Sequence, residues 1–143
     1  MSTRSVPRRG DVYYLDHPKG DPHWHVVVSR DEMNQSLDSV LVVPLTSVID
    51  DTGRRKDERP YDRFRICIPN NQFSWEDGER IPKGQSLARV EWTFAYRIKD
   101  LSTRCGHLGD FYLGRLTLAL AHVFKIPVPR PALVPGPIRP PLP

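Results

Sequence analysis

At 143 residues the chain is long enough for one domain with its own core. Hydrophobic residues make up 38% and charged residues 27%, and no run approaches the ~20 apolar residues of a membrane span, which excludes a helical integral membrane protein. The formal charge of +4, from 21 basic against 17 acidic residues and carried mainly by arginine, suits a polyanionic partner, because a guanidinium grips phosphate with a planar fork of donors.

Residues 1–8 read as a flexible basic arm with Arg4 and Arg8, and they lack the apolar centre of a secretory signal. Gly10-Asp11 leads into a short β-prone strand, Val12-Tyr13-Tyr14-Leu15. Asp16–Pro22 is turn chemistry, with two prolines and a glycine. His23-Trp24-His25 then opens a second strand through Ser29, and Arg30–Ser36 reads as a loop or a single helical turn. The third strand, Val40-Leu41-Val42-Val43-Pro44-Leu45, meets a proline that should end ladder pairing and leave the hydroxyls of Thr46 and Ser47 at a strand end.

A dense mixed-charge run follows, Asp50–Arg59, of the kind that is usually solvated. Phe64–Ile68 alternates as a strand with one wet face, Asn70-Asn71 marks a turn, and the stretch from Gln72 to Pro82 is ambiguous. Leu87–Trp92 resumes strand character, which would set Arg89 and Glu91 on one face. The last element is a helix capped by Asp110, with Leu113, Leu116, Leu120 and Val123 or Phe124 on its apolar stripe and Arg115, Thr117 and His122 opposite. From Pro127 to Pro143, eight of seventeen residues are proline, so the tail should be extended or disordered. Cys67 and Cys105 form no CxxC pattern and read as free thiols of a reducing cytosol.

Four segments in order resemble the MazF/PemK family of toxin endoribonucleases: Arg9–Tyr14, Val26–Ser29 with Met33–Ser36, Val42–Ser47, and Ser86–Asp100 followed by His107-Leu108-Gly109 and the leucine-rich helix. They span residues 9–126. The resemblance implies a mainly β fold, an SH3-like small β-barrel of the CcdB/PemK type, with a C-terminal helix and homodimeric assembly. It also implies metal-independent, cofactor-free cleavage of single-stranded RNA in the cytoplasm and a cognate antitoxin partner. The 49–84 region and the proline-rich tail are not explained by it.

Family members place an Arg-Pro pair at the start of the second strand and a threonine on the third. Thr46 matches the threonine, but Trp24-His25 stands where the Arg-Pro pair would be. RNA cleavage of this kind needs a base for the 2′-OH proton, an acid for the leaving 5′ oxygen and donors for the extra charge. His23 and His25 share a strand face and suit acid or base work, since imidazole titrates near neutrality. Some PemK-type members use an arginine and an acid two apart on a later strand. Arg89 would then stabilise charge, and Glu91 would take or orient a proton. The plainer readings are a surface ion pair for Arg89 and Glu91 and buried strand residues for the histidines. His17, His107 and His122 read as structural or surface residues. Ser47, Arg9, Arg54, Arg55 and Lys56 are candidate RNA contacts. Trp24 should face the core, with base stacking as its other reading. The H-x-H pair also permits a metal site if Asp21, His17 or Glu91 adds a third ligand. The missing arginine favours one alternative function: a toxin fold that has lost its chemistry and acts by binding a protein or nucleic-acid partner.

Overall fold

Short apolar runs, each broken by turn chemistry within ten residues or so, build an antiparallel sheet that packs on both faces. The computed structural model describes residues 6–17, 20–48, 64–76, 78, 82 and 84–125. The greater part of the basic arm, the charged run with Arg54, Arg55 and Lys56, and the proline-rich tail lie outside the described residues. The strands are β1 (Asp11–His17), β2 (Gly20–Val27), β3 (Ser39–Ser47), β4 (Arg65–Pro69), β5 (Phe73–Trp75), β6 (Gln85–Arg89), β7 (Phe94–Arg97) and β8 (Arg104–Leu108). Helix α1 (Asp31–Ser36) joins β2 to β3, and α2 (Asp110–Val123) follows β8. The strand order is β4-β6-β3-β2-β1-β8-β5, with β7 also paired to β3, in a sheet curled into a half-barrel.

Two clusters of side chains sandwich this sheet. Val12, Val26, Val43, Leu45, Ala88 and Leu108 face Leu113, Leu116 and Ala119 of α2. Tyr13, Leu15, Val27, Val40 and Val42 point the other way and meet Leu101, Phe94 and Tyr96. Successive residues of a strand alternate between faces, so each central strand feeds both clusters. That double burial is why β3 reads as a continuous apolar run.

Several elements depart from the sequence expectation. Asp16–Pro22 is not turn throughout, because β1 and β2 continue into it until His17 pairs with Gly20 across a register shift. Pro44 does not end the ladder. It pairs with His25 of β2, and on its other edge β3 changes partner there, from β7 at Ser39–Val42 to β6 at Leu45–Ser47. Val28 N–H donates to Leu41 C=O at 2.9 Å, and the antiparallel alternation from that bond turns the Pro44 nitrogen away from β2, into the gap between β7 and β6. A missing donor costs nothing where no acceptor faces it. Thr46 and Ser47 are still the last two residues of the strand.

The expected Leu87–Trp92 strand is shorter, since β6 stops at Arg89 and Val90–Trp92 forms a 3₁₀ turn. Burial of Val90 draws the chain inward, and its N–H donates to Phe64 C=O at 3.0 Å. Glu91 therefore leaves the strand alternation it was expected to share with Arg89. In α2 the cap position belongs to Gly109, with Asp110 in the first turn, where a carboxylate suits the helix dipole. The buried stripe is Leu113, Leu116 and Ala119. Val123 and Phe124 are exposed. Neither Cys67 nor Cys105 forms a disulfide.

Candidate active site

The residues at the Thr46 end of β3 are placed by register. Leu45 and Ala88 pair and belong to the helix-side cluster, so their neighbours Thr46, Leu87 and Arg89 take the opposite face. Strand β4 extends that face: Ile66 and Ile68 turn toward α2, and Arg65 and Cys67 turn away. Arg65 pairs with Arg89 and Cys67 with Leu87, so two guanidiniums stand side by side on neighbouring strands.

Their contacts define the wall. Arg89 Nε–H donates to Thr46 Oγ1 at 3.1 Å, and the guanidinium lies over the Trp92 ring, 4.3 Å from its centroid. Stacking uses the flat face of the guanidinium and leaves the donors in its plane directed outward. The Thr46 hydroxyl also reaches Leu87 C=O at 3.5 Å, a long contact, and the residue is buried to 8% exposure. Arg65 Nε–H donates to Glu91 Oε1 at 2.8 Å, with the two side chains 18% and 29% exposed. Burial, then the charge of Arg65, lowers the proton affinity of Arg89, while Glu91 acts the other way. Arg89 thus touches the hydroxyl, and the Arg65–Glu91 pair stands next to Arg89 one strand further out.

The structure brings only some of the sequence candidates together. Thr46 and Arg89 are in direct contact, and Glu91 joins them through Arg65, which sequence reading had not singled out. Its signal was present in Phe64–Ile68 as a polar position on the wet face, but only the β4–β6 register assigns it to Arg89. His23 lies on the Thr46 face, since the β2–β3 register that ends at Trp24–Leu45 would next set His23 opposite Thr46. His25 shares that face but is fully buried: its Nδ1–H donates to His23 C=O at 2.8 Å, and its ring packs edge-on against Phe94 with centroids 5.6 Å apart. The carbonyl can only accept, so the proton sits on Nδ1.

Other candidates lie elsewhere. Trp24 is on the opposite face, packed against the helix-side cluster and edge-on to Tyr14 at 5.0 Å, so it is a core residue and no stacking platform for this wall. Ser47 is exposed, and alternation turns it away from the Thr46 face. Arg9 is held on α2, where its guanidinium donates to Thr117 Oγ1 and to Leu113 C=O, away from the Thr46 strand end. His107 joins the buried Asp11 carboxylate at 3.0 Å, with Arg104 at 3.6 Å, in an ion network that ties β8 to β1. Among the described residues, no three metal-ligand side chains converge.

The sequence profile of the PemK-like, MazF-like toxins of type II toxin-antitoxin systems matches residues 8–124. No curated protein sequence matches the chain significantly. Among solved structures, the fold is similar to a mycobacterial endoribonuclease in complex with its cognate antitoxin, at 20% identity and a TM-score of 0.60, covering 86% of this chain and 99% of that one. The Mycobacterium tuberculosis toxin MazF-mt6 aligns at 15% identity and a TM-score of 0.58, over 85% and 100% of the two chains. The MazE-MazF structure from Deinococcus radiodurans aligns at 15% identity and a TM-score of 0.59, over 87% and 100%. With the profile spanning the sheet, the Thr46–Arg89 wall and α2, the chain belongs to the PemK-like, MazF-like toxins of type II toxin-antitoxin systems.

Proposed function

We propose that the chain is an endoribonuclease toxin that cuts single-stranded RNA without a metal ion. The contact of Arg89 Nε with Thr46 Oγ1 at 3.1 Å carries this reading, because it joins a fixed hydroxyl to a guanidinium at the strand end that family resemblance picks out. A phosphodiester at this wall would meet donors from both groups, and donors held in place before reaction stabilise the charge that develops on phosphorus. The 2′ oxygen attacks phosphorus and the bond to the 5′ oxygen breaks. Glu91 takes the 2′-OH proton, and His23, protonated, returns one to the leaving oxygen. The products are a 2′,3′-cyclic phosphate and a 5′-hydroxyl. His25 acts on this site from within the core, fixing the β2 backbone at His23.

One similar mycobacterial endoribonuclease was solved in complex with its cognate antitoxin and the Deinococcus protein as MazE-MazF, which supports a cognate antitoxin for this chain. Among the described residues no helix is long and apolar enough to cross a membrane, and the cytoplasm is the compartment that holds the RNA substrate. The working form is taken to be a homodimer, as the family resemblance implies.

The test is incubation of purified protein with a long single-stranded RNA at low salt in the presence of EDTA. New 5′-hydroxyl ends are the expected result. Growth arrest on expression with intact cellular RNA would overturn the enzymatic reading in favour of action by binding.

A further inference from the structure

We infer that Arg65 supplies the positive charge missing from β2 and grips the phosphate next to the scissile one, with Glu91 as the counter-ion that this phosphate displaces. The inference rests on the RNA-cutting reading above and names the substrate feature that the wall selects: two successive phosphodiesters on one strand.

The register is the first support. Arg65 and Arg89 pair across β4 and β6, at the roughly 5 Å spacing of neighbouring strands, and both face away from α2. Like charges opposite one another destabilise a sheet. Glu91 sits on Arg65 and not on Arg89. Arg89 is already committed to Thr46 and to the Trp92 ring. The two guanidiniums therefore have different neighbours and suit different phosphates.

The position of Glu91 is the second support. It rides on the Val90–Trp92 turn rather than on a strand ladder, and its side chain is held on the wall by the Arg65 guanidinium. A phosphate offers the guanidinium the same bidentate acceptor geometry as a carboxylate. Exchange of one for the other keeps Arg65 paired and leaves the Glu91 carboxylate beside the bound RNA, where the proposed reaction needs a base. Substrate binding and exposure of the base thus become one event.

The experiment measures binding of an all-2′-O-methyl oligonucleotide, which cannot be cut, by fluorescence anisotropy from 50 to 200 mM salt. Wild type, Arg65→Gln, Glu91→Gln and, as a control, Arg30→Gln are compared, each checked for folding by circular dichroism. One lost phosphate contact reduces the slope of log K against log salt by about 0.7 for a single strand, which is about 2.6-fold less affinity lost over that range. Arg65→Gln should show this change, and Arg30→Gln should keep the wild-type slope. Glu91→Gln should bind more tightly than wild type while RNA cleavage falls, a split that a merely structural ion pair would not produce. A wild-type slope in Arg65→Gln, or weaker binding in Glu91→Gln, overturns the inference even where wild type cuts RNA. If wild type neither binds nor cuts RNA, the enzymatic reading itself has failed, and this inference fails with it.

Discussion

Replacing Thr46 with valine removes one hydroxyl and keeps the β-branched shape that β3 packs around. The hydroxyl accepts from the Arg89 guanidinium at 3.1 Å, and its own donor makes only a long 3.5 Å contact to Leu87 C=O. A hydrogen bond to a charged group contributes ~1.5–3 kcal/mol net. Arg89 is half-exposed, so water takes over part of the lost contact, and the stability cost should be about 1 kcal/mol. That lowers the melting temperature by roughly 4 °C and leaves the protein overwhelmingly folded at 25 °C, given typical stabilities of ~5–15 kcal/mol. Loss of a donor aimed at developing charge costs far more, about 10²–10³ in rate. The two magnitudes separate the explanations, because unfolding of this size cannot account for a hundredfold slower reaction. Single-turnover cleavage of a 5′-labelled RNA with EDTA present, beside a thermal melt of the same sample, reads both. Cleavage by Thr46→Val within about twofold of wild type would refute the assignment of Thr46 to the reacting phosphate.

Three further outcomes follow from the packing and the titrating groups. Leu116 is fully buried between α2 and the sheet, so Leu116→Ala should cost about 2–5 kcal/mol in chemical denaturation, and a loss under ~1 kcal/mol would mean that α2 is not docked as described. A Cβ on Gly106 would lie 2.7 Å from Ser74 C=O and 2.9 Å from the Trp75 ring, so Gly106→Ala should part β8 from β5 and lower the melting temperature, while Gly114→Ala, with open space around it, should not. Tyr13 is pushed up from 10.0 to about 12, first by burial and then by the Asp11 carboxylate. Its folded form keeps the proton that the unfolded chain loses, so stability is whole below pH 10 and falls as pH rises from about 10 to 12. Tyr13→Phe should remove that part of the alkaline loss, and identical pH profiles for the two proteins would show that Tyr13 ionises freely.

Much of this site is legible in the order of residues alone, and the parts that are not share one cause. Thr46 at the end of an apolar strand, and the common face of His23 and His25, depend only on the two-residue period of a strand, which is a local property. Arg65 escapes notice in the sequence because nothing near it in the chain says which strand lies beside β4. The same period assigns Glu91 to the face of Arg89, and the assignment lapses where burial of Val90 bends the chain into a turn. His25 looks available as an acid or base until the sheet is covered on both faces. Its ring packs against Phe94 of β7, a strand distant in sequence that pairs with β3.

The first three strands, the buried character of β3 and the amphipathic last helix follow from composition and periodicity, since neighbours in sequence decide them. Which charges meet does not. The Arg89–Thr46 contact joins residues 43 apart, and Arg65 reaches Glu91 across 26. Such pairs exist only once antiparallel registers are set, and register is chosen by the whole sheet burying its two apolar faces at once. The sequence showed a hydroxyl without its customary arginine. Only the tertiary structure decided that β6 brings Arg89 to that hydroxyl and that β4 stations a second guanidinium beside it.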